Sequence, residues 1–374
     1  MSGMELALAA PAVATSAQPP RGPRLWTPRR VLLTRSAAGW AEGRAIAERA
    51  AALGSEVVEL KSDRLPALAG ESERETYVRA KSTLAVVTAS AAKRRLQPIP
   101  PSADWRFDLA EGCPAHCQYC YLAGSLAGPP ITRAYANLPE ILDGLTAYVG
   151  QGRVTSRSKA RADEGTTFEC SCYTDPLGIE HLTGYLAECV RFFGSWEADA
   201  QLRFTTKFDA VEPLIGLPHA RRTRVRFSVN AAVPASRFEG GTARMPQRLA
   251  AMRRLALDGY RVGLTVAPIM AVEGWREAYG ALIDDVSAAL DDVAGLDLTV
   301  ELITHRFSPK SKAVLNGWYP GSALEMDEAA RTQKTTKFGA VKHVYPAETM
   351  KAMKSWFYVT LADRLPSAQV LYWT

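Results

Sequence analysis

Three closely spaced cysteines are the residues of this sequence best suited to carry chemistry. Cys113, Cys117 and Cys120 form a C-x3-C-x2-C run. Three thiolates in one loop can hold three irons of a [4Fe–4S] cluster and leave the fourth iron open to a reactant. Structural zinc is the alternative, but it prefers four ligands in a closed tetrahedron, and only His116 inside the loop could add one. The spacing therefore favours an iron–sulfur cluster over zinc.

Alternating strands and helices must position this run. A strand, an alanine-rich helix and a second strand are expected at 31–34, 38–53 and 56–60, with a further strand at 82–90. The basic, proline-containing run 93–101 is typical of a linker. Beyond it, helical stretches separate strands expected at 105–109, 167–173, 202–206, 224–230, 261–268 and 298–303. Six βα units predict a parallel, barrel-like sheet whose carboxyl-terminal strand ends face a ligand.

The domain organisation follows from these elements. We expect an α/β protein with a disordered tail over 1–22, a small N-terminal α/β domain over 23–101 and a partial (β/α)6 barrel over 102–306. Residues 307–374 are expected to form a C-terminal extension with a β-hairpin, a helix over 347–363 and a last strand over 369–373.

Composition narrows the class of protein. The 374 residues are 47% hydrophobic and 22% charged, which excludes disordered, collagenous and coiled-coil chains. The net charge of +6 permits a phosphate-bearing partner without requiring one. No window approaches the ~18 apolar residues of a membrane span, so we expect a soluble protein without membrane contact. Six cysteines are too few for a disulfide scaffold, and the clustering of three predicts a reducing compartment, the cytoplasm.

Further segments carry a resemblance to a known family. The cysteine spacing resembles the signature of the radical S-adenosylmethionine (SAM) superfamily, whose fold is a full or partial barrel with the cluster loop after the first strand. Other segments resemble the spore photoproduct lyase family in order and spacing: Phe168-Glu-Cys-Ser-Cys172-Tyr-Thr-Asp175, Gly178-Ile-Glu-His-Leu182, Phe204-Thr-Thr-Lys207-Phe, Arg226-Phe-Ser228-Val-Asn230, Val266-Ala-Pro-Ile269, Glu273-Gly-Trp275 and Glu301-Leu-Ile-Thr-His305-Arg-Phe307.

The resemblance implies a set of SAM-binding residues. SAM would chelate the open iron through its amino and carboxylate groups. By resemblance, the cofactor-binding positions are Thr174, Lys207, Ser228 and the backbone at Ala267. A lysine, hydroxyls and exposed backbone groups are suitable partners for a carboxylate and a ribose diol. Ordinary polarity at strand ends is the alternative for any one of them.

The resemblance also implies catalytic residues. The family uses a cysteine at the Cys172 position to give a hydrogen atom to a carbon radical, and it places tyrosines at the Tyr119 and Tyr121 positions near SAM and in the path of radical return. Side chains alternate along an extended strand, so Cys170 is expected on the same side as Cys172, one layer deeper in the barrel. The alternative is that both cysteines are small buried hydrophobic residues.

A basic segment near the C-terminus is a candidate for DNA contact. The alternation from 331 to 345 predicts a hairpin with its bend at Gly339, carrying Lys337, Phe338, Lys342 and His343. Lysines can neutralise phosphates, and an aromatic wedge can fill the gap left by an extruded lesion. A solvated charged hairpin is the alternative. The family has an arginine–tyrosine pair at 337–338, so this chain loses the bidentate fork and the hydroxyl.

Together these residues predict a radical SAM carbon–carbon lyase that repairs DNA. The resemblance implies reversal of the UV-induced spore photoproduct, 5-thyminyl-5,6-dihydrothymine, to two thymines through a 5′-deoxyadenosyl radical. A one-electron reductant such as flavodoxin or ferredoxin is implied as a partner, and we expect a monomer. Two alternatives stay open: an enzyme of the same family acting on another substrate, and a non-catalytic DNA-binding protein with a structural metal.

Overall fold

The computed structural model describes residue 23 and residues 25–126, 128–335, 339 and 341–374. Its strands are β1 (Arg30–Leu33), β2 (Glu56–Glu59), β3 (Thr83–Val87), β4 (Gln97–Ile99), β5 (Ala103–Phe107), β6 (Ala110–Glu111), β7 (His116–Cys117), β8 (Thr132–Tyr135), β9 (Thr166–Cys170), β10 (Ala200–Thr206), β11 (Thr223–Val229), β12 (Glu239–Gly240), β13 (Arg261–Ile269), β14 (Leu298–Thr304), β15 (Thr332–Thr335), β16 (Val341–Val344) and β17 (Ala368–Trp373). Its helices are α1 (Arg35–Ala38), α2 (Ala41–Ala52), α3 (Glu73–Lys81), α4 (Ala91–Arg94), α5 (Leu138–Asp143), α6 (Glu180–Thr183), α7 (Tyr185–Ser195), α8 (Ala232–Phe238), α9 (Met245–Leu257), α10 (Trp275–Leu290), α11 (Pro309–Trp318) and α12 (Ala347–Arg364).

The larger sheet is the expected partial barrel. Its strand order is β17-β14-β13-β11-β10-β9-β5-β4, with parallel pairing from β17 through β5 and an antiparallel pair between β5 and β4. The six barrel strands expected from the sequence are all present, in sequential order. The last strand, β17, adds a seventh parallel strand beside β14. Parallel neighbours bring the carboxyl ends of these strands to one rim.

Helices cover the outer face of this sheet. In α10, the buried residues Tyr279, Ile283, Val286 and Leu290 recur at intervals of three and four, which places them on one side of the helix. Helix α7 packs on β10, α9 on β11 and β13, and α12 on β17. The apolar core therefore lies between the helices and the sheet, and the concave inner face is left to polar side chains.

A second sheet forms the N-terminal part of the fold. Its order is β2-β1-β3-β8-β6, parallel except for the antiparallel pair of β6 with β8. Strands β6 and β8 lie beyond residue 101, while β4 lies before it and joins the barrel sheet. The two sheets therefore draw strands from both sides of the boundary expected from the sequence, and the stretch from 110 to 135 ties them together.

The tail over 1–22 lies outside the described residues. No helix in the described part of the chain is both long enough and apolar enough to cross a membrane.

Candidate active site

The cysteine loop begins at a glycine that no other residue could replace without movement. Gly112 has a φ of +73°, and a Cβ atom built on it would lie 2.2 Å from the carbonyl oxygen of Ile131. A β-carbon atom cannot approach an oxygen so closely, and L-residues rarely adopt that φ. The chain can therefore turn sharply into Cys113 only because this position has no side chain.

The loop is then fixed by partners from three other parts of the chain. Strand β7 pairs antiparallel with β12, which fastens His116 and Cys117 to the segment Glu239–Gly240. Lys81, at the end of α3, donates hydrogen bonds from Nζ to the carbonyl oxygens of Cys113 and Ala115. Lys81 could not be found from the sequence, since it lies 32 residues before the first cysteine and in a helix of ordinary composition.

His116 is held by a hydrogen bond of its own. Its Nδ1 lies 2.7 Å from the hydroxyl of Tyr77, and burial lowers its pKa to about 4. The ring is therefore neutral at pH 7. The contact with Tyr77 holds this part of the loop against α3.

The three cysteine thiols are free and line one cavity of about 380 Å³. Burial raises the pKa of the Cys113 thiol to about 11, and burial likewise raises the pKa of Cys117 and Cys120. A bound positive centre is what would keep such thiols ionised. Among the described residues no three Cys, His, Asp or Glu side chains converge as they would around a single ion. The cysteines instead surround a space.

Cys172 lines the same cavity, but Cys170 does not, which corrects the expectation that both face one side. Strand β9 ends at Cys170, and Ser171 adopts a φ of +57°, which breaks the alternation of side chains. Cys170 is buried toward Cys189 of α7, on the helix-covered face. The left-handed residue after the strand is what turns Cys172 to the inside.

The protonation state of Cys172 suits hydrogen-atom donation. Burial raises the pKa of its thiol well above the usual value, and the neighbouring carboxylates of Glu169 and Asp108 act in the same direction. The sulfur therefore keeps its hydrogen at neutral pH.

The four residues expected to bind SAM lie on this cavity too: Thr174, Lys207, Ser228 and Ala267. Lys207 Nζ donates to Ser228 Oγ at 2.7 Å and lies 3.5 Å from the carbonyl oxygen of Ala267. The hydroxyl oxygen of Thr174 is buried and has no hydrogen-bond partner among the described residues. Such an orphaned polar atom in a cavity wall fits a polar ligand.

Two acidic residues that the sequence reasoning missed hold Lys207 in place. Asp175 accepts a hydrogen bond from the Lys207 backbone N–H at 2.6 Å and another from Thr206 Oγ1 at 2.8 Å. Glu239 is buried and its Oε1 lies 3.2 Å from Lys207 Nζ. Burial opposes ionisation of Glu239, but Lys207 and Arg248 outweigh it and hold the pKa below its ordinary value. Asp175 ends the family-like segment that begins at Phe168, whereas Glu239 lies outside all such segments.

The two candidate tyrosines have different surroundings. Tyr119 is buried, and its hydroxyl donates to Glu239. Tyr121 is 42% exposed, and the guanidinium of Arg306 lies 5.3 Å from its ring centre. Both line the cavity. They flank Cys120, as expected, but only Tyr121 is open to solvent.

A second cavity of about 290 Å³ continues into the barrel from Cys172. Its walls carry a buried ion network in which Arg226 donates to both Glu169 and Glu301, and Arg203 donates to Glu301 at 2.7 Å. The side chains of these four residues are at most 6% exposed. Arg226 and Glu301 belong to segments that resemble the family but had no predicted role, and the network gives them a structural one.

The expected C-terminal hairpin is present as β15 and β16, with Lys334 opposite Lys342. Lys337 and Phe338 lie outside the described residues. Lys342 is half-buried, whereas His343 is buried and its ring stacks on Phe307 with the centres 5.2 Å apart. That packing favours a structural role for His343, and its contact with DNA stays a prediction.

Comparisons with known proteins agree on one family. The family model described as "Spore photoproduct lyase" matches residues 26–374. The chain is 35% identical over 350 residues to the spore photoproduct lyase of Geobacillus sp. (strain Y412MC61), covering 93% of this chain and 99% of that protein. It is 37% identical over 305 residues to that of Bacillus subtilis (strain 168), covering 82% and 86%. A solved spore photoproduct lyase mutant with bound AdoMet and dinucleoside spore photoproduct superimposes with a TM-score of 0.86 at 34% identity, covering 94% of this chain and all of that chain.

Proposed function

The chain belongs to the spore photoproduct lyase family, and from that premise we propose that it is a radical SAM lyase that reverts the spore photoproduct in DNA to two thymines. One observation carries the proposal: a single cavity of about 380 Å³ is lined by the three loop cysteines, by Cys172 and by the polar groups suited to SAM. A protein with a structural metal does not require a protonated thiol that faces the metal ligands across a cavity, so this arrangement favours catalysis over a structural metal site.

Cys113, Cys117 and Cys120 would hold a [4Fe–4S] cluster. In support, the three cysteines come from one loop and line one cavity of about 380 Å³. A zinc ion needs its sulfur ligands at about 2.3 Å from one centre. A cluster distributes its thiolates over three separate irons and leaves the fourth iron for SAM.

Thr174, Lys207, Ser228 and the Ala267 backbone would bind SAM. Lys207 presents an ammonium to the cavity for a carboxylate, while Asp175 and Glu239 fix its backbone and its head group. The unpaired Thr174 hydroxyl offers a donor and an acceptor to the ligand. This set orients the cofactor, which is the contribution that a protein makes to cofactor chemistry.

When bound, the cluster and SAM would supply a 5′-deoxyadenosyl radical for removal of the hydrogen atom at C6 of the lesion, which would allow the methylene bridge to break. Cys172 would give the hydrogen atom of its thiol to the resulting allylic thymine radical. Because burial keeps that thiol protonated, the hydrogen is present at neutral pH. Tyr119 or Tyr121 would then give a hydrogen atom to the sulfur and recover one from 5′-deoxyadenosine, so that SAM is re-formed.

We propose DNA carrying the thymine lesion as substrate, a one-electron reductant such as flavodoxin or ferredoxin as redox partner, and a monomer. Lys337, Phe338, Lys342 and His343 would contact the DNA around the extruded lesion from the C-terminal hairpin. Extrusion of bases costs a few kcal/mol, which such contacts must offset.

An anaerobic repair assay tests the proposal. The reconstituted protein is given dithionite, SAM and dinucleotide spore photoproduct, and thymine and 5′-deoxyadenosine are followed by chromatography. We expect thymine from the wild type and a trapped adduct from Cys172→Ala. Cys170→Ala is the matched control, since it removes a thiol two residues away on the opposite face, and it should repair normally. Formation of 5′-deoxyadenosine without thymine would retain the radical SAM core and reject the substrate, and one colourless zinc per chain would reject both.

A further inference from the structure

A third cavity lies beside the active-site cavity, at the β4–β5 edge of the barrel sheet. Its volume is about 410 Å³, and Tyr173 is part of its wall. The flanking residues Cys172 and Thr174 line the active-site cavity, so Tyr173 forms a partition between the two. The segment after the cysteine loop forms a second partition: Tyr121 and Leu122 face one cavity, and the residues at 125–126 face the other.

Cations dominate the lining of this third cavity. Arg95, Arg106 and Arg133 all face it, and within the described part of the chain none of the three has a carboxylate within 4 Å. We call them together the arginine groove. Lys93 and Glu111 also line it, but they form an ion pair with each other.

Asp108 is the remaining acid in the groove. It is half-buried, and burial raises its pKa to about 6. One of its carboxylate oxygens is buried without a hydrogen-bond partner among the described residues. A single carboxylate cannot balance three guanidinium groups, so the groove has a net positive charge whether or not Asp108 is ionised.

The arginines are placed for contact with an anion rather than for packing. Arg95 is exposed, while Arg106 and Arg133 are half-buried. The guanidinium of Arg106 lies 4.5 Å from the ring centre of Tyr173, which supports one face of the guanidinium. Guanidinium N–H groups match the oxygens of a phosphate in a bidentate way. A groove with three arginines that have no carboxylate partner among the described residues, next to the active-site cavity, is therefore matched to a phosphodiester.

We propose that the arginine groove binds backbone phosphates of the DNA strand flanking the lesion. This inference rests on the proposed function and adds a location for the DNA: the strand leaves the active-site cavity past Tyr173 and runs along the β4–β5 edge. The groove does not contact the lesion itself, so it does not contribute to the binding of a substrate that lacks flanking phosphates.

That difference sets the experiment. Arg95→Gln and Arg133→Gln are compared with wild type on two substrates: dinucleoside spore photoproduct, which has no flanking phosphates, and an oligonucleotide containing the same lesion. We expect each variant to raise KM for the oligonucleotide about tenfold, on the order of one lost charged contact. The kinetic constants for the dinucleoside should stay as in the wild type. The slope of log Kd for the oligonucleotide against log salt should fall by about one per arginine.

Two controls keep the result interpretable. Arg191→Gln removes the same charge from the exposed face of α7, where Arg191 pairs with Glu188. It should leave the kinetic constants for both substrates as in the wild type. Arg133→Lys keeps the charge without the fork and should restore the salt slope but only part of the affinity. Since Arg95 is exposed, Arg95→Gln keeps the test valid even where Arg133→Gln folds poorly.

Equal losses on both substrates, or an unchanged salt slope in both variants, would overturn the proposal. If the wild type repairs neither substrate, it is the proposed function that fails. The groove is then decided by oligonucleotide binding alone: a salt slope reduced in the groove variants but not in Arg191→Gln supports it, and equal slopes in all proteins reject it.

Discussion

A buried acid at the corner between α6 and α7 gives this fold a pH-dependent stability. Glu180 is 3% exposed, and its carboxylate accepts hydrogen bonds from the backbone N–H groups of Leu186 at 2.8 Å and Ala187 at 3.0 Å. Burial nevertheless raises its pKa to about 7, from an ordinary value of 4.5. The folded protein thus binds this proton more tightly than the unfolded chain does.

The sign and size of the effect follow from linkage. A raised pKa contributes stability that is fully present below 4.5 and is lost as the pH rises through 7. Between pH 5 and pH 8, the titration of Glu180 should reduce the free energy of unfolding by about 2 to 3 kcal/mol, at about 1.4 kcal/mol per pKa unit. Other buried acids, including Asp175, act in the same direction, so the contribution of Glu180 must be read from a difference between two proteins.

Glu180→Gln supplies that difference, because glutamine does not titrate. Glutamine retains one carbonyl acceptor for the two N–H groups, so a constant loss of about 1 kcal/mol is expected at pH 5. Urea unfolding of the cluster-free wild type and variant, followed by circular dichroism at pH 5 and pH 8, gives four free energies. We expect the variant to be the less stable protein at pH 5 and to gain 2 to 3 kcal/mol on the wild type by pH 8, on the order set by linkage. A gap between the two proteins that stays constant with pH would refute the reasoning.

Three further changes test other parts of the structure. Arg226→Met leaves Glu169 and Glu301 buried without their shared cation, and we expect a loss of about 3–5 kcal/mol in urea unfolding; a loss below 1 kcal/mol would show that the network is not coupled. Gly112→Ala places a Cβ atom against the backbone at the start of the cysteine loop, and iron analysis after reconstitution should find less iron per chain than in the wild type; full occupancy would contradict the need for glycine. Cys170→Ala should cost about 1 kcal/mol, on the order of one buried methylene, and leave the ratio of thymine to adduct unchanged; adduct formation would place Cys170 in the radical path.

Much of the fold could be predicted because hydrophobic segments in parallel strands are long and distinct. The six barrel strands and α12 were found close to their observed bounds. The prediction of the N-terminal sheet lacked two strands. Strand β6 has two residues and β8 has four, and such short strands leave no periodicity in the sequence. Their pairing is decided by tertiary contacts alone.

The candidate site was likewise predicted only in part. The cavity wall was predicted from motif residues, since Lys207, Ser228 and Cys172 each lie within two residues of the carboxyl end of a strand, at one rim. Lys81 and Glu239 were missed because they act on the cysteine loop from helix and strand positions far away in the chain. The prediction that Cys170 faces the same side as Cys172 was wrong, because alternation of side chains assumes an unbroken strand. Nothing in the residue type of Ser171 indicates a positive φ.

The break at Ser171 explains how one short strand serves three environments. Glu169 faces the barrel interior and joins the ion network, and Cys170 faces α7 and packs in the apolar core. A regular continuation would point the thiol at 172 back into that core. The left-handed turn instead brings Cys172 onto the side of Glu169, at the boundary between the ion network and the cavity of the three cysteines. A left-handed non-glycine residue costs about 1–2 kcal/mol, and it is held here by two hydrogen bonds: the Ser171 N–H donates to Phe107 O at 2.7 Å, and Ser171 Oγ accepts from the Leu109 N–H at 3.0 Å. The position of the hydrogen-donating thiol thus depends on strand β5 and the residues that follow it, the same segment that leads into the cysteine loop.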